Sequence, residues 1–347
     1  MWECDINPEI NIMKTITRTS RAILIFGLSS LLCFYPSVGL VQTTPGALDQ
    51  SFGNGGKVVT DLGGFDEVHA MAVQNDGKII AAGTTAVDFG LARYNPDGSL
   101  DMGFGVGGKV TTDIYPTILF ERVNAIALQP DGKIVVAGYA GGGGTINWDF
   151  ALVRYDVDGS LDKSFGKGGK VTTEFQSFNS TEYGFALAIQ SDGKIIVGGT
   201  CSSPSLLDQV FGVVRYNLDG SLDPTFGNGG KTTITFVNNS DYAEIINSLA
   251  LQPDGKIVAA GFAANDFGMV RLNPNGTLDT SFGAGGKVRT DFDPVTDVDV
   301  DIDGALAISL QPDGHILLAG RSIRSPGNEG LSLARYNPDG TLDTVIT

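Results

Sequence analysis

Short apolar segments separated by turn sequences recur along the chain from about residue 48 to residue 343. Segments of this length, rich in β-branched residues and bounded by Gly, Pro, Asn and Asp, are typical of β-strands. In the first repeat the predicted strands, labelled A to D, are Lys57 to Leu62, Val68 to Gln74, Lys78 to Thr84 and Phe89 to Asn95. Strand C is apolar throughout, and we expect its small residues, such as Gly198-Gly199, to let neighbouring sheets approach closely.

Three motifs mark the repeat. Asp-Gly-Lys precedes strand C, Arg-Tyr-Asn-Pro-Asp-Gly-Ser-Leu-Asp follows strand D in its fullest form, and Phe-Gly-x-Gly-Gly-Lys leads into strand A. The last motif begins at Phe52, Phe104, Phe165, Phe226 and Phe282. A period of this size is typical of repeat arrays and propellers. The sequence predicts one domain over residues 45–347, with five repeats at about 48–98, 100–159, 161–220, 222–276 and 278–343.

The connections between strands favour one architecture. The Gln-Pro-Asp-Gly and Asn-Pro-Asp-Gly sequences are tight turns, because proline presets φ and glycine accepts a positive φ. The stretch between strands D and A is long enough to cross from the outer edge of one blade to the inner edge of the next. The predicted fold is therefore all-β, a five-bladed β-propeller of four-stranded antiparallel blades, rather than a sandwich.

Leu-Ala-Arg-Tyr-Asn-Pro-Asp-Gly-Ser-Leu-Asp and Phe-Gly-x-Gly-Gly-Lys-Val resemble the consensus of the delta-60 repeat family of bacterial propeller-type proteins. The resemblance covers nearly all of residues 48–343. It implies an exported β-propeller of unassigned biochemical role, and it brings no catalytic residues with it. The fifth repeat departs from the consensus, with an acidic insertion and His315 in place of lysine.

The first 44 residues read as a leader. From Met13, the expected true start, a basic segment precedes an apolar run from Ala22 to Leu32 and a small-residue stretch at 37–39, the layout of a secretory signal peptide. The alternative is a retained membrane anchor, but the run is short for a bilayer span. We expect a secreted, periplasmic or cell-surface protein without a transmembrane span in the mature chain.

Composition narrows the classes of partner. Hydrophobic residues make up 42% of the chain, so a core can be buried although there are 48 glycines. The net charge is −16 and no basic stripe is present, which argues against nucleic acid as a partner. The predicted partner is a glycan or a protein at the cell surface or outside the cell, and the predicted state is a monomer.

Residues that differ between repeats are better candidates for function than residues that recur, because repeated residues do the same structural work in each unit. The A–B and C–D loops share one face of the predicted propeller, and they vary most. The predicted ligand-binding residues on this variable face are Tyr115, Tyr139, Trp148, Phe178, Tyr183 and Tyr242. Aromatic rings beside Asn and Asp suit a sugar or a peptide, and the alternative is that they fill the core beneath the loops.

An acidic insertion in the fifth repeat is the candidate metal site. Carboxylates alternate with apolar residues from Asp297 onward, so an extended chain places them on one side, where like charges need a cation or full exposure. The predicted calcium ligands are Asp293, Asp297, Asp299, Asp301 and Asp303. The alternative is a solvated acidic edge that discourages sheet pairing. Calcium is the only cofactor that the sequence suggests.

Catalysis finds less support. Asp61, Asp113, Glu174 and Asp291 end strand A in four repeats and are expected to gather near a central channel, where a funnel-type glycoside hydrolase would place its carboxylates. No single acid/base pair stands out, and Cys201 lies in a Ser/Pro-rich loop without a recognisable base. We expect a non-enzymatic binding or scaffold protein, with a calcium-stabilised adhesion protein and a glycoside hydrolase as alternatives.

Overall fold

A computed structural model describes residues 46–116, 120–141, 147–175, 180–203, 209–237, 243–292, 302–324 and 328–344. The regular elements in these ranges are all strands. They are β1 (Asp66–Val73), β2 (Ile79–Thr85), β3 (Asp88–Tyr94), β4 (Lys109–Thr112), β5 (Phe120–Leu128), β6 (Ile134–Gly141), β7 (Trp148–Tyr155), β8 (Lys170–Thr173), β9 (Tyr183–Ile189), β10 (Ile195–Ser202), β11 (Gln209–Tyr216), β12 (Lys231–Ile234), β13 (Ile245–Leu251), β14 (Ile257–Ala263), β15 (Asp266–Leu272), β16 (Lys287–Thr290), β17 (Ile302–Leu310), β18 (Ile316–Arg324) and β19 (Asn328–Tyr336).

The strands form five antiparallel sheets, so the predicted five-bladed β-propeller is confirmed. Blades 1 to 4 contain four strands each, in the orders β1–β4, β5–β8, β9–β12 and β13–β16. Blade 5 contains the three strands β17–β19. Because no described helix is long and apolar enough for a bilayer, the described ranges contain no candidate membrane-spanning helix.

The blades begin one strand later than the sequence repeats. Strand A pairs with strand D of the preceding repeat, as where Phe89 of β3 faces Thr112 of β4. The long D–A connection therefore lies within a blade, and the predicted crossing between blades at this point is wrong. In the first repeat, residues 57–62 form no ladder with another described strand.

The core lies between successive blades. The first strands contact one another from blade to blade, from β1 through β5, β9 and β13 to β17. Each of four buried apolar clusters combines residues of two neighbouring blades, as where Leu91 of blade 1 packs in the same cluster as Val136 and Val153 of blade 2. Because the apolar strand C packs on both faces, it is nearly completely buried in blades 2, 3 and 4.

A β-bulge lies between the first and second strands of every blade, for example between Val123 and Ala125 of β5. A glycine of the second strand faces the bulge. A Cβ built on Gly138 would lie only 1.8 Å from the carbonyl oxygen of Arg122, and Gly199 is equally close to the carbonyl of Tyr183. The preceding residue Gly198 instead faces Ile246 and Leu249 of the next blade. Glycine thus permits both the close approach of sheets that was predicted and a close approach within one sheet.

The repeated motifs form the same joint in each blade. Arg154 donates to Asp162 and to the carbonyl of Leu218 in the next blade, while its guanidinium lies 4.4 Å from the centroid of the Phe165 ring. Arg93, Arg215 and Arg271 make equivalent contacts. The turn aspartates cap their own turns, as where Asp97 accepts hydrogen bonds from Ser99. These motifs therefore do the same structural work in each repeat, as their repetition indicates.

Candidate functional site

Five aromatic rings meet on the variable face, at the junction of blades 2 and 3. This aromatic cluster consists of Phe120 on β5, Tyr139 on β6, Trp148 on β7, and Tyr183 and Phe185 on β9. The ring centroids of Tyr139 and Tyr183 are 4.6 Å apart, and Trp148 lies 5.5 Å from Tyr139. Edge-to-face pairs at such distances are favourable.

The aromatic cluster is reachable from solvent. Phe120 is 37% exposed, and the other four side chains are half-buried. By contrast, the phenylalanines that serve the joints between blades, such as Phe104 and Phe165, are fully buried. The cluster therefore differs from the core aromatics, which the packing of two blades covers completely.

The aromatic cluster breaks the symmetry of the repeat. The bulge glycines Gly83, Gly138, Gly199, Gly261 and Gly320 align the blades. Tyr139 follows its glycine, where the other blades carry Thr84, Thr200, Phe262 and Arg321. Trp148 precedes the aspartate of β7, at a position that is Val87 in blade 1 and Gln209 in blade 3. The cluster thus contains residues that vary between repeats, and such residues are candidates for function.

A polar group borders the aromatic cluster on the first strands of blades 1 and 2. Arg122 Nη2 lies 3.3 Å from His69 Nδ1, and His69 Nε2 lies 3.5 Å from Glu67 Oε2. Burial and the nearby Arg122 charge lower the pKa of His69, so the imidazole is neutral at neutral pH and its Nδ1 can accept from Arg122. The Nε of Arg122 is buried without a hydrogen-bond partner, and Arg122 faces Tyr139 of the aromatic cluster in the pairing of β5 with β6.

The predicted ligand-binding residues fall into three groups. Tyr139, Trp148 and Tyr183 belong to the aromatic cluster. Tyr115 lies apart, with its hydroxyl 3.1 Å from Asp149 Oδ2, and burial raises its pKa. Phe178 and Tyr242 lie outside the described residues. The sequence did not indicate Phe185 or the polar group, because neither stands in a variable loop.

The carboxylates predicted to line a channel lie elsewhere. Asp113, Glu174 and Asp291 come directly after β4, β8 and β16, the last strands of their blades, and Asp61 occupies the corresponding place in the first repeat. Since it is the first strands that meet from blade to blade, these residues do not gather around a channel, and that prediction is wrong. They lie beside other carboxylates of the same junction instead.

The predicted calcium site in the fifth repeat is only partly described. Asp293, Asp297, Asp299 and Asp301 lie outside the described residues. Asp303 is buried near the start of β17, and its Oδ2 accepts from the backbone N–H of Phe292.

An acidic residue occupies the position of Asp303 in every blade, and the sequence analysis did not predict this. Glu121 accepts from the backbone N–H groups of Ile114 and Tyr115, at 2.7 and 2.9 Å. Asp66, Glu182 and Glu244 accept in the same way from Leu62, Phe175 and Phe236. The spacing between acceptor and donor ranges from 4 residues to 11. Each acidic residue nevertheless stands ten positions before the Asp-Gly of its repeat, as Glu121 does before Asp131, and this fixed offset is the sequence signal that could have revealed it.

Cys201 is fully buried, and burial raises the pKa of its thiol well above the usual range. A thiol in such surroundings is inert. The sequence predicted a loop at this position, but Cys201 lies on β10, so that expectation is wrong.

The fold and the repeated joints define a β-propeller repeat protein. Five segments match the family model described as "Domain of unknown function (DUF5122) beta-propeller", at residues 74–104, 129–165, 190–226, 252–282 and 311–344. Five segments of the chain thus match a β-propeller repeat family that is related to the delta-60 repeats, while the delta-60 assignment itself stays a prediction.

Solved structures share parts of the fold. One is the extracellular domain of a putative one-component system from B. thetaiotaomicron, with 18% identity and a TM-score of 0.43, covering 81% of this chain and 28% of that chain. Another is the GH43 endo-arabinanase from Bacillus licheniformis, with 10% identity and a TM-score of 0.39, covering 81% of this chain and 99% of that one. Similarities of this size carry no inference about function. No curated protein is significantly similar to this chain.

Proposed function

We propose that the protein is an exported binding module and that it holds a glycan on the aromatic cluster. The observation that carries the proposal is the meeting of Tyr139, Trp148 and Tyr183 in one half-exposed group. The apolar faces of sugar rings stack on aromatic side chains, and hydroxyl groups then need hydrogen-bond partners at the border. Glu67, His69 and Arg122 supply acceptors and donors there.

A protein ligand is the competing occupant of the same surface, since Tyr and Trp are also enriched at protein interfaces. The size and shape of the group favour the glycan. Its rings come from four strands of two adjacent blades, and most of their pairs stand edge-to-face or tilted to one another, so the rings do not form one flat patch. The leader-like sequence before residue 45 supports an extracellular encounter with such a ligand.

Replacing Trp148 with alanine should weaken glycan binding at least about tenfold, the size of effect seen for aromatic anchors at binding sites. Tyr139→Ala should have a similar effect. A glycan array with the purified wild-type protein selects the ligand, and titration calorimetry with the selected ligand gives the affinities.

Phe65→Ala is the matched control, because Phe65 is an aromatic residue of the same face that is 78% exposed and lies outside the aromatic cluster. Its affinity should equal that of the wild type. The proposal fails if no glycan binds, or if a glycan binds and both cluster variants keep wild-type affinity while remaining folded by circular dichroism. Binding of a protein but of no glycan would support the competing function, a module that binds a protein ligand.

A further inference from the structure

Three carboxylates converge at the junction of blades 1 and 2, outside the aromatic cluster. They belong to Asp88 at the start of β3, Asp113 after β4 and Glu121 on β5, and one oxygen of each lies within 4.8 Å of the others. Calcium binds oxygen ligands at about 2.3–2.6 Å, so two ligands of one ion are at most about 5 Å apart. One ion can therefore contact all three residues.

One carboxylate oxygen of Glu121 has no hydrogen-bond partner at this junction. Its side chain is buried, its Oε1 accepts from Ile114 and Tyr115, and its Oε2 is buried without a hydrogen-bond partner. Leaving a buried carboxylate oxygen unpaired is costly. The ammonium group of Lys170 donates to the backbone carbonyl of Asp113 and not to a carboxylate of this junction.

A second triad of carboxylates has a positively charged side chain beside it. Asp266, Asp291 and Asp303 occupy the equivalent places at the junction of blades 4 and 5, and there Arg289 forms an ion pair with Asp266. Arg289 faces Gly268 as Thr111 faces Gly90. At the first junction a threonine therefore stands where the second has a guanidinium, and no lysine or arginine among the described residues pairs with the three carboxylates.

We propose that calcium binds between blades 1 and 2, to Asp88, Asp113 and Glu121. The ion does for this junction what Arg289 does for the junction of blades 4 and 5. It offsets most of the negative charge of the three carboxylates and links the last two strands of blade 1 to the first strand of blade 2. This site is distinct from the acidic insertion of the fifth repeat, and it does not depend on glycan binding.

The site can be tested with calcium and terbium on the purified full chain. Calcium should raise the midpoint of thermal unfolding of the wild type. Terbium bound at the site should luminesce on excitation of Tyr115, whose backbone N–H contacts Glu121. Asp88→Asn should lower the terbium affinity at least about tenfold, because affinity follows the number of charged ligands.

Thr111→Arg is the sharpest variant, because it copies Arg289 into the first junction without removing a carboxylate. It should abolish the effect of calcium on the unfolding midpoint. Thr233→Arg is its matched control, since Thr233 has the same register in blade 3 but Val210 and Thr235 replace the aspartates there. Absence of a calcium effect on the wild type would overturn the proposal. So would a calcium effect that persists in both Thr111→Arg and Asp88→Asn, which would place the ion elsewhere.

An independent observation concerns the open edge of blade 5. Its last strand, β19, has no fourth strand beside it among the described residues. Leu331 and Leu333 of β19 are 101% and 67% exposed, whereas the equivalent Phe89 and Leu91 of β3 are fully buried. Arg335 is 42% exposed although the equivalent Arg154 is 6% exposed. An exposed apolar strand edge of this kind invites pairing with another strand.

The segment from Phe52 to Thr60 has the sequence of a fourth strand and already lies against blade 1. Gly53 N donates to the carbonyl of Asp97, and Thr60 Oγ1 lies 2.8 Å from the hydroxyl of Tyr94. In blade 1 the fourth strand makes these same two contacts to blade 2, through Gly105 and Thr112. The segment therefore makes the contacts that a fourth strand makes to the next blade. Among the described residues, it is not paired with the third strand of a preceding blade.

We infer that residues 57–60 pair with β19 as the fourth strand of blade 5 and so close the ring. The register of β3 with β4 pairs Val58 with Leu333 and Val59 with Ser332. Closure buries Leu333, and it brings Phe52 beneath Arg335 as Phe104 lies beneath Arg93. Residues 57–60 then supply the fourth strand that blade 5 lacks.

A cysteine pair tests the closure. Val59→Cys with Ser332→Cys should form an intramolecular disulfide, since facing residues at a non-hydrogen-bonded position have Cα atoms about 4.5 Å apart, within the range for disulfides. Non-reducing electrophoresis and peptide mapping locate the bond. Val59→Cys with Gly330→Cys, two residues out of register, is the control and should cross-link poorly. No cross-link, equal cross-linking of both pairs, or a bond only between two chains would overturn the inference, the last result indicating head-to-tail assembly.

Discussion

Gly138→Ala should destabilise the protein by about 3 kcal/mol or more, because the new methyl group has no space. Its Cβ would lie 1.8 Å from the carbonyl oxygen of Arg122, and the carbonyl carbon of Arg122 and the Cα of Val123 are the next neighbours, at 2.8 and 3.0 Å. A flexible side chain could move away, but a backbone carbonyl held in a bulge cannot move without breaking the pairing of β5 with β6. Urea unfolding followed by circular dichroism measures the loss.

Gly103→Ala is the control for this prediction. Gly103 belongs to the linker before β4, and the nearest atom to its Cβ would be Asp101 Oδ1 at 3.4 Å, an ordinary contact. We expect a change of less than about 1 kcal/mol at this position, where glycine is not needed for space. Equal destabilisation by both variants would contradict the account of the bulge, because generic loss of glycine would then explain the result.

The fold was predictable because the repeat presents the same evidence five times. Turn sequences such as Gln-Pro-Asp-Gly fix the ends of strands locally, and the hydrogen bond from Gly132 to Gln129 forms as such a turn requires. Pairing partners are not fixed locally. The short Lys-Val-Thr-Thr strand can join the sheet before it or the sheet after it, and the sequence does not decide between them. The structure places it with the preceding strand D.

That one error of pairing explains the error about the carboxylate ring. With strand A at the start of a blade, Asp113 and Glu174 would lie toward the axis, whereas with strand A at the end of a blade they lie beside the next junction. The same residues then become neighbours of Asp88 and Asp149, which the sequence separates from them by 25 positions in each repeat. Proximity between strands of different repeats is a property of the assembled sheet and not of either strand.

The aromatic cluster was found in part for a related reason. Tyr139, Trp148 and Tyr183 stand out in the sequence because they interrupt the repeat at positions next to loops. Phe185 lies inside a strand, two residues after Tyr183, and looks like an ordinary core residue until the ring contact of 6.1 Å is seen. Variation between repeats therefore locates a candidate surface. How far that surface extends depends on which side chains within the strands point toward it.

Asp162→Asn should cost about 3 kcal/mol, the usual consequence of removing one partner of a buried ion pair. Asp162 and Arg154 are each 6% exposed, and their closest N–O distance is 2.7 Å. The variant leaves the guanidinium of Arg154 buried without its counter-ion at the joint between blades 2 and 3, and it also removes a partner of Lys133. Asp156→Asn is the control, because Asp156 pairs with the same Lys133 but is 44% exposed, so its loss should cost less than about 1 kcal/mol.

The same carboxylate makes stability depend on pH. Burial alone would raise the pKa of Asp162, but hydrogen bonds from Lys133 and Ser164 and the charge of Arg154 outweigh burial and hold the pKa well below its usual range. Asp223 and Asp279 are held in the same way. A carboxylate whose pKa is lower in the folded state than in the unfolded state stabilises the folded protein. This stabilisation is complete above the unfolded pKa of about 4 and is lost as the pH falls below that value.

Urea midpoints measured from pH 6 down to pH 2 should therefore fall most steeply below about pH 4. The fall should be smaller in Asp162→Asn, since that variant has already lost one of the titrating groups; an identical pH profile in both proteins would show that the joints do not control acid stability.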